Sequence, residues 1–248
     1  MLSIIRQFSM QPQLGFIAVI AFLLAILIAI VTHEQAHGLV AYWNGDHTAK
    51  FLGRLSLNPF KHLDLMGTLC MVFVGFGWAK PVPIDSRNFK NYKKGMITVS
   101  LAGVTMNLLN AILFASVLAI YLACTQSIQG SLLIYVGQTS ITFAQYANFF
   151  FKSFLQLSIT FNLTLMAFNL LPLYPLDGFR IVETLAKPRN RYVNFMYSKG
   201  QFVLFGVLIA SSLLGMLNPY LDIIGLYISG VNTLMSKLFE LIFQIPLF

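Results

Sequence analysis

The chain has 248 residues, of which 57% are apolar or aromatic and 10% are charged. Its 16 basic and 8 acidic side chains are too few to cover so much apolar surface, which excludes a water-soluble globule. Cys70 and Cys124 both sit in apolar runs and form no disulfide framework, and the net charge of +8 is scattered through short gaps between apolar stretches. That scatter is how membrane orientation is written, so the expected surroundings are a lipid bilayer and no nucleic acid is expected as a partner.

In chain order, Leu14 to Val31 is unbroken apolar sequence, and the helical pattern continues through His33 and His37 to about Trp43. This is long enough to cross the hydrocarbon. A single Arg6 precedes it and no small-residue cleavage site follows, so it reads as a retained span rather than a signal peptide. Lys50 to Asn58 alternates Arg54 and Ser56 with Leu55 and Leu57, which predicts a strand, either with an edge that an unwound peptide could join or serving only to pack the loop.

Leu63 to Ala79 is short and interrupted by Gly67, Gly75 and Gly77. If it dips into the bilayer and returns, 13 of the 16 basic residues lie on one side, which the positive-inside rule makes the cytoplasm. A re-entrant, hairpin-like segment is therefore predicted. Irregular backbone at that depth requires protein or a wet cavity around it.

No charge occurs from 95 to 151, which accommodates spans at Gly95–Ala123 and Ala147–Leu171 joined by a polar connection. Gly200–Leu221 predicts a further span, and the tail from Ile223, which holds Lys237 and Glu240, either crosses or lies in the interface. The expected fold is an all-α polytopic membrane protein of about five to six transmembrane helices with a re-entrant or β-hairpin segment after the first. It reads as one domain over 1–248, with a core at about 15–183 and C-terminal helices in 199–248.

The sharpest chemical signal is His33-Glu34-Gln35-Ala36-His37 inside the first span. Residues four apart stack on one helix face, so both imidazoles can address one ion while Glu34 remains free to handle a proton. Packed histidines beside a pore-facing glutamate would give the same letters. Three ionisable groups within a membrane helix are costly, however, and usually face a site. One Zn²⁺, balanced by Glu34 and a second carboxylate, would make the cluster neutral.

Asp46, Asp64 and Asp85 read as solvated charges in turns and basic loops. Asp177 differs. It ends Asn169-Leu170-Leu171-Pro172-Leu173-Tyr174-Pro175-Leu176-Asp177-Gly178, where two prolines break a helix at the same membrane face as the histidines and Gly178 permits a tight bend toward the bundle.

These residues resemble the site-2 protease family of intramembrane zinc metalloproteases, peptidase family M50. The intervening GRLSLNPFKHLD and GWAKPVPID segments resemble its short bacterial members without a PDZ or CBS domain, and the resemblance runs from about Val31 to Glu183. It implies one zinc per chain held by His33, His37 and Asp177, Glu34 as general base, and Asn169 as a group holding the substrate or its oxyanion. Gly103 and Asn107 match the family's Gly-Pro-x-x-Asn without its proline. Substrate binding is one reading of that pair, and for Asn107 and Asn110 interhelical hydrogen bonding is an equal alternative.

The implied activity is hydrolysis of a peptide bond in a transmembrane or membrane-proximal segment of a membrane protein, at the cytoplasmic side of a bacterial inner membrane. Water in the fourth metal position would lose its proton to Glu34, which would pass it to the leaving amine. The competing readings are an ion relay in a transporter, which would be expected to show paired broken helices, and a proteolytically inactive zinc-binding scaffold.

Overall fold

The computed structural model describes residues 12–64, 66–67, 79–125 and 142–243. The described residues form seven α-helices: α1 (Pro12–Trp43), α2 (Thr48–Phe51), α3 (Tyr92–Thr125), α4 (Phe143–Asn169), α5 (Asp177–Leu185), α6 (Arg191–Leu217) and α7 (Ile223–Phe243). Helices α1, α3, α4 and α6 are long and apolar enough to cross a membrane. The described residues are all-helical, and their four long apolar helices mark an integral membrane protein.

Helices α1, α3 and α4 pack against one another as the central bundle. On α1 the buried face carries Ala18, Ala21, Ala25 and Ala29, and on α3 it carries Gly103, Ala111, Ala115 and Ala119. Without a hydrophobic drive between helices in lipid, such small residues let backbones approach and gain dispersion contacts. Leu155, Ile159 and Leu163 of α4 fill the space against α3, and Phe239 of α7 joins the same core. Helix α7 runs antiparallel to α4, since Tyr227 Oη donates to the Ala167 carbonyl at 3.2 Å and Asn232 Nδ2 to Thr164 Oγ1 at 3.1 Å.

The predicted spans overlap observed helices, with shifted ends: α4 ends before Leu171 and α6 before Leu221. Helix α4 stops at Asn169 rather than Leu171 because Pro172 disfavours helical backbone at the residue before it. Helix α6 starts at Arg191, well before Gly200. The Asn190 side chain caps the first turn by accepting from the N–H groups of Tyr192 and Val193, so the helix begins in charged sequence that hydropathy skips.

The strand expected over Lys50–Asn58 is not formed. Thr48–Phe51 is a helical turn, and Gly53 at φ 63° turns the chain out of the extended region. No strand occurs among the described residues, and none of them offers this segment a ladder. Leu55 instead packs against Gly38 of α1, and Arg54 Nη2 donates to the carbonyls of Lys80 and Pro81 at 2.8 and 3.2 Å.

Most of the predicted re-entrant stretch, residues 65 and 68–78, lies outside the described residues. Its ends are described. Leu63 and Ala79 form an isolated antiparallel bridge, and the Lys80 N–H donates to the His62 carbonyl at 2.8 Å.

Asp46 also departs from expectation. It is fully buried, accepting from the Thr48 N–H and hydroxyl, from Asn88 Nδ2 at 2.9 Å and from the Asp85 N–H at 2.8 Å. It joins the turn after α1 to the segment before α3. Asp85 is a solvated charge as read, paired with Arg87.

Candidate metal centre

Four residues apart on α1, His33 and His37 turn their rings to one side, 84° between planes, and both are buried. Asp177 reaches them from the first turn of α5. Its Oδ2 lies 3.2 Å from His33 Nε2 and 3.2 Å from His37 Nε2, which are 3.0 Å from each other. Ligand atoms at tetrahedral angles, ~2.0–2.1 Å from a zinc ion, stand about 3.3 Å apart. The triangle has nearly the dimensions of one face of such a tetrahedron.

The chemistry of the donors fits a cation as well as the spacing does. His37 Nδ1 lies 2.7 Å from the Val99 carbonyl, so it carries the proton and leaves the Nε2 lone pair pointing inward. Asp177 adds a carboxylate oxygen to the two imidazole lone pairs in a nearly closed pocket. Electron-rich atoms converge here, which is a donor set for a positive ion.

Glycines allow this closeness. A Cβ on Gly103 would stand 2.4 Å from His33 Cε1 and 2.6 Å from His37 Nε2, so α3 lies directly against both rings. Gly178 serves close approach rather than the bend expected of it. It is helical, and a Cβ there would stand 2.4 Å from the Leu170 carbonyl oxygen. The end of α4 and the start of α5 are thereby pressed together, which brings Asp177 back to α1.

Around the triad is a cavity of about 210 Å³ lined by Glu34, Asn169 and Arg180 together with Pro81, Val82 and Ser100. Glu34 Oε2 accepts the Val82 N–H at 2.9 Å. Asn169 Nδ2 donates back to the Leu165 carbonyl at 3.0 Å. Asn107 is fully buried, with Nδ2 3.2 Å from His33 Nδ1. Asn110 joins three helices, donating to Thr32 Oγ1 at 2.7 Å and Asn162 Oδ1 at 3.2 Å.

Sequence reasoning did not single out Val82, Val99 or Ser100. Val82 left a trace, because in Pro81-Val82-Pro83 it has the one backbone N–H. The Val99 carbonyl left none, since a main-chain acceptor has no letter. Ser100 is buried with an unpartnered hydroxyl on the cavity wall, and serine in an apolar helix is too common to mark a site.

Residues 21–211 match the family model described as Peptidase family M50. The chain is 37% identical over 222 residues to "Putative zinc metalloprotease YwhC" of Bacillus subtilis (strain 168), covering 89% of this chain and 91% of that protein. It is 29% identical over 171 residues to "Putative zinc metalloprotease Rip2" of Mycobacterium tuberculosis, covering 66% of this chain and 57% of that protein. No solved structure matches it significantly.

Proposed function

The chain belongs to peptidase family M50 and is a zinc metalloprotease of the membrane, and from that premise we propose that it is an intramembrane endopeptidase cutting transmembrane or membrane-proximal segments of other membrane proteins. His33, His37 and Asp177 hold the zinc, Glu34 is the general base, and Asn169 assists the substrate carbonyl. The observation that carries this reading is the convergence of His33 Nε2, His37 Nε2 and Asp177 Oδ2 within 3.2 Å of one another, from positions far apart in sequence.

Bound zinc supplies a Lewis acid and a water acidified to a pKa of about 7. Glu34, one residue from His33 and on the cavity wall, takes the proton of the attacking water and returns it to the departing amine nitrogen. Asn169 has an amide on the same wall, and turning it from the Leu165 carbonyl would free both of its N–H donors for the developing oxyanion. A helical substrate hides its carbonyls in its own hydrogen bonds, so the cleaved segment unwinds before attack.

We place the site at the cytoplasmic face of a bacterial inner membrane. Support comes from the basic residues of 50–94 and 180–199 clustering in the segments that flank the site. The meeting of Leu63 with Ala79 supports a segment that returns to the side it left. The test is Glu34→Gln, co-expressed with a single-span substrate. It is expected to retain zinc and to lose cleavage by about 10²–10⁴-fold. Cleavage at the wild-type rate would reject Glu34 as the base.

A further inference from the structure

We propose that Asn107 is a positioning residue that holds His33 in its ligating form by accepting the Nδ1 proton on its amide oxygen. The inference rests on His33 being a zinc ligand through Nε2. Val99, Gly103 and Asn107 follow one another at intervals of four along α3, so they form one stripe facing α1. The first uses its carbonyl to take His37 Nδ1, and the second lacks the Cβ that would strike both rings. The third sets its amide 3.2 Å from His33 Nδ1. One helix face therefore meets the outer nitrogen of each imidazole, once through the main chain and once through a side chain.

A histidine that ligates through Nε2 must carry its proton on Nδ1. That proton needs an acceptor, and an amide nitrogen cannot be one. The oxygen and nitrogen of an asparagine amide have the same shape and exchange places by a half-turn, so chemistry rather than outline assigns them. As placed, Nδ2 faces the ring while Oδ1 is buried without a partner. Either orientation leaves one amide atom unpaired, so counting hydrogen bonds does not choose between them. The ligand role does: with Oδ1 toward His33, the ring donates from Nδ1 and presents a bare Nε2.

The location supports a role beyond packing. Asn107 is fully buried in an apolar helix, and its one polar contact among the described residues is His33. Asn110, one turn further on, ties α3 to two other helices through Thr32 and Asn162. A leucine would fill the space of Asn107, yet could not accept the proton. His33 would then be free to rotate or to take the other tautomer, with a proton where the ion binds.

The experiment compares zinc affinity in purified Asn107→Leu, Asn107→Asp, Asn110→Leu and His33→Ala, by competition with a chromogenic chelator. The absorption of the Co²⁺-substituted forms reports ligand geometry. Asn107→Leu is expected to bind zinc about 10–100-fold more weakly and to change the Co²⁺ bands. Asn107→Asp, which keeps an acceptor oxygen, restores both, and Asn110→Leu keeps wild-type zinc affinity. If Asn107→Leu does not fold, Asn107→Ala is read against Asn107→Asp in the same way. Wild-type affinity and spectrum in Asn107→Leu, or an equal loss in Asn107→Asp, overturns the positioning role while leaving the zinc reading intact. Undiminished zinc binding in His33→Ala overturns the zinc reading itself.

Discussion

The Val82 backbone donates its N–H to the carboxylate of Glu34, and prolines on both sides make it the one main-chain donor of residues 81–83. The extended segment over the cavity is thus tied to the residue assigned as base by a single charge-assisted hydrogen bond. Such a bond contributes about 1.5–3 kcal/mol. Val82→Pro removes the donor and is expected to slow cleavage about 10–100-fold with zinc content unchanged. Val82→Ala, which keeps the N–H, should cleave at close to the wild-type rate. Rates on a single-span substrate, paired with metal analysis, check both.

Gly103→Ala would set a Cβ within 2.6 Å of ring atoms on both histidines, and those rings are held by their outer contacts. The expected result is a zinc affinity at least about 10-fold lower, because α3 or an imidazole must shift. Gly206 has nothing within 4 Å of its added Cβ, so Gly206→Ala serves as the neutral control. Chelator competition on the two variants separates a steric effect at the rings from a general effect of alanine in a helix.

Removing zinc should abolish activity reversibly. Phenanthroline is expected to stop cleavage by the purified enzyme, and added Zn²⁺ to restore it. Asp177→Ala should purify with substoichiometric metal and resist that restoration, since it deletes one corner of the triad. Full zinc occupancy in Asp177→Ala would remove the aspartate from the ligand set.

Asp46 gives a pH-dependent outcome. Burial alone would raise its pKa, but the donors from Thr48, Asn88 and the Asp85 main chain outweigh it and hold the carboxyl below its usual value. A depressed folded pKa contributes stability above the unfolded pKa near 3.8 and loses it as pH falls through the folded value. Asp46→Asn is expected to be less stable by about 1–3 kcal/mol near neutral pH. Its deficit against wild type should shrink below pH 3.8, as seen in thermal unfolding in detergent across pH.

Much of the fold was legible because a bilayer demands long apolar runs, and four of those runs are the candidate spans. The triad was legible for a similar reason: HEQAH on one helix and Asp177 after a proline break are costly in lipid without a shared purpose. The strand at Lys50–Asn58 failed because alternation over a few residues also suits a turn that packs one leucine, and only a neighbouring strand would have distinguished the two. Asp46 failed because burial depends on Asn88 and Asp85, some 40 positions away. Asn107 was visible as a residue, but its contact with His33 depends on the register between α1 and α3, which periodicity does not fix.

The bridge between Leu63 and Ala79 clamps both ends of the intervening stretch a few residues ahead of Val82. With Ala79 fixed against Leu63 and the Lys80 N–H on the His62 carbonyl, the chain enters Pro81 from a set position, and that position carries the Val82 amide to Glu34.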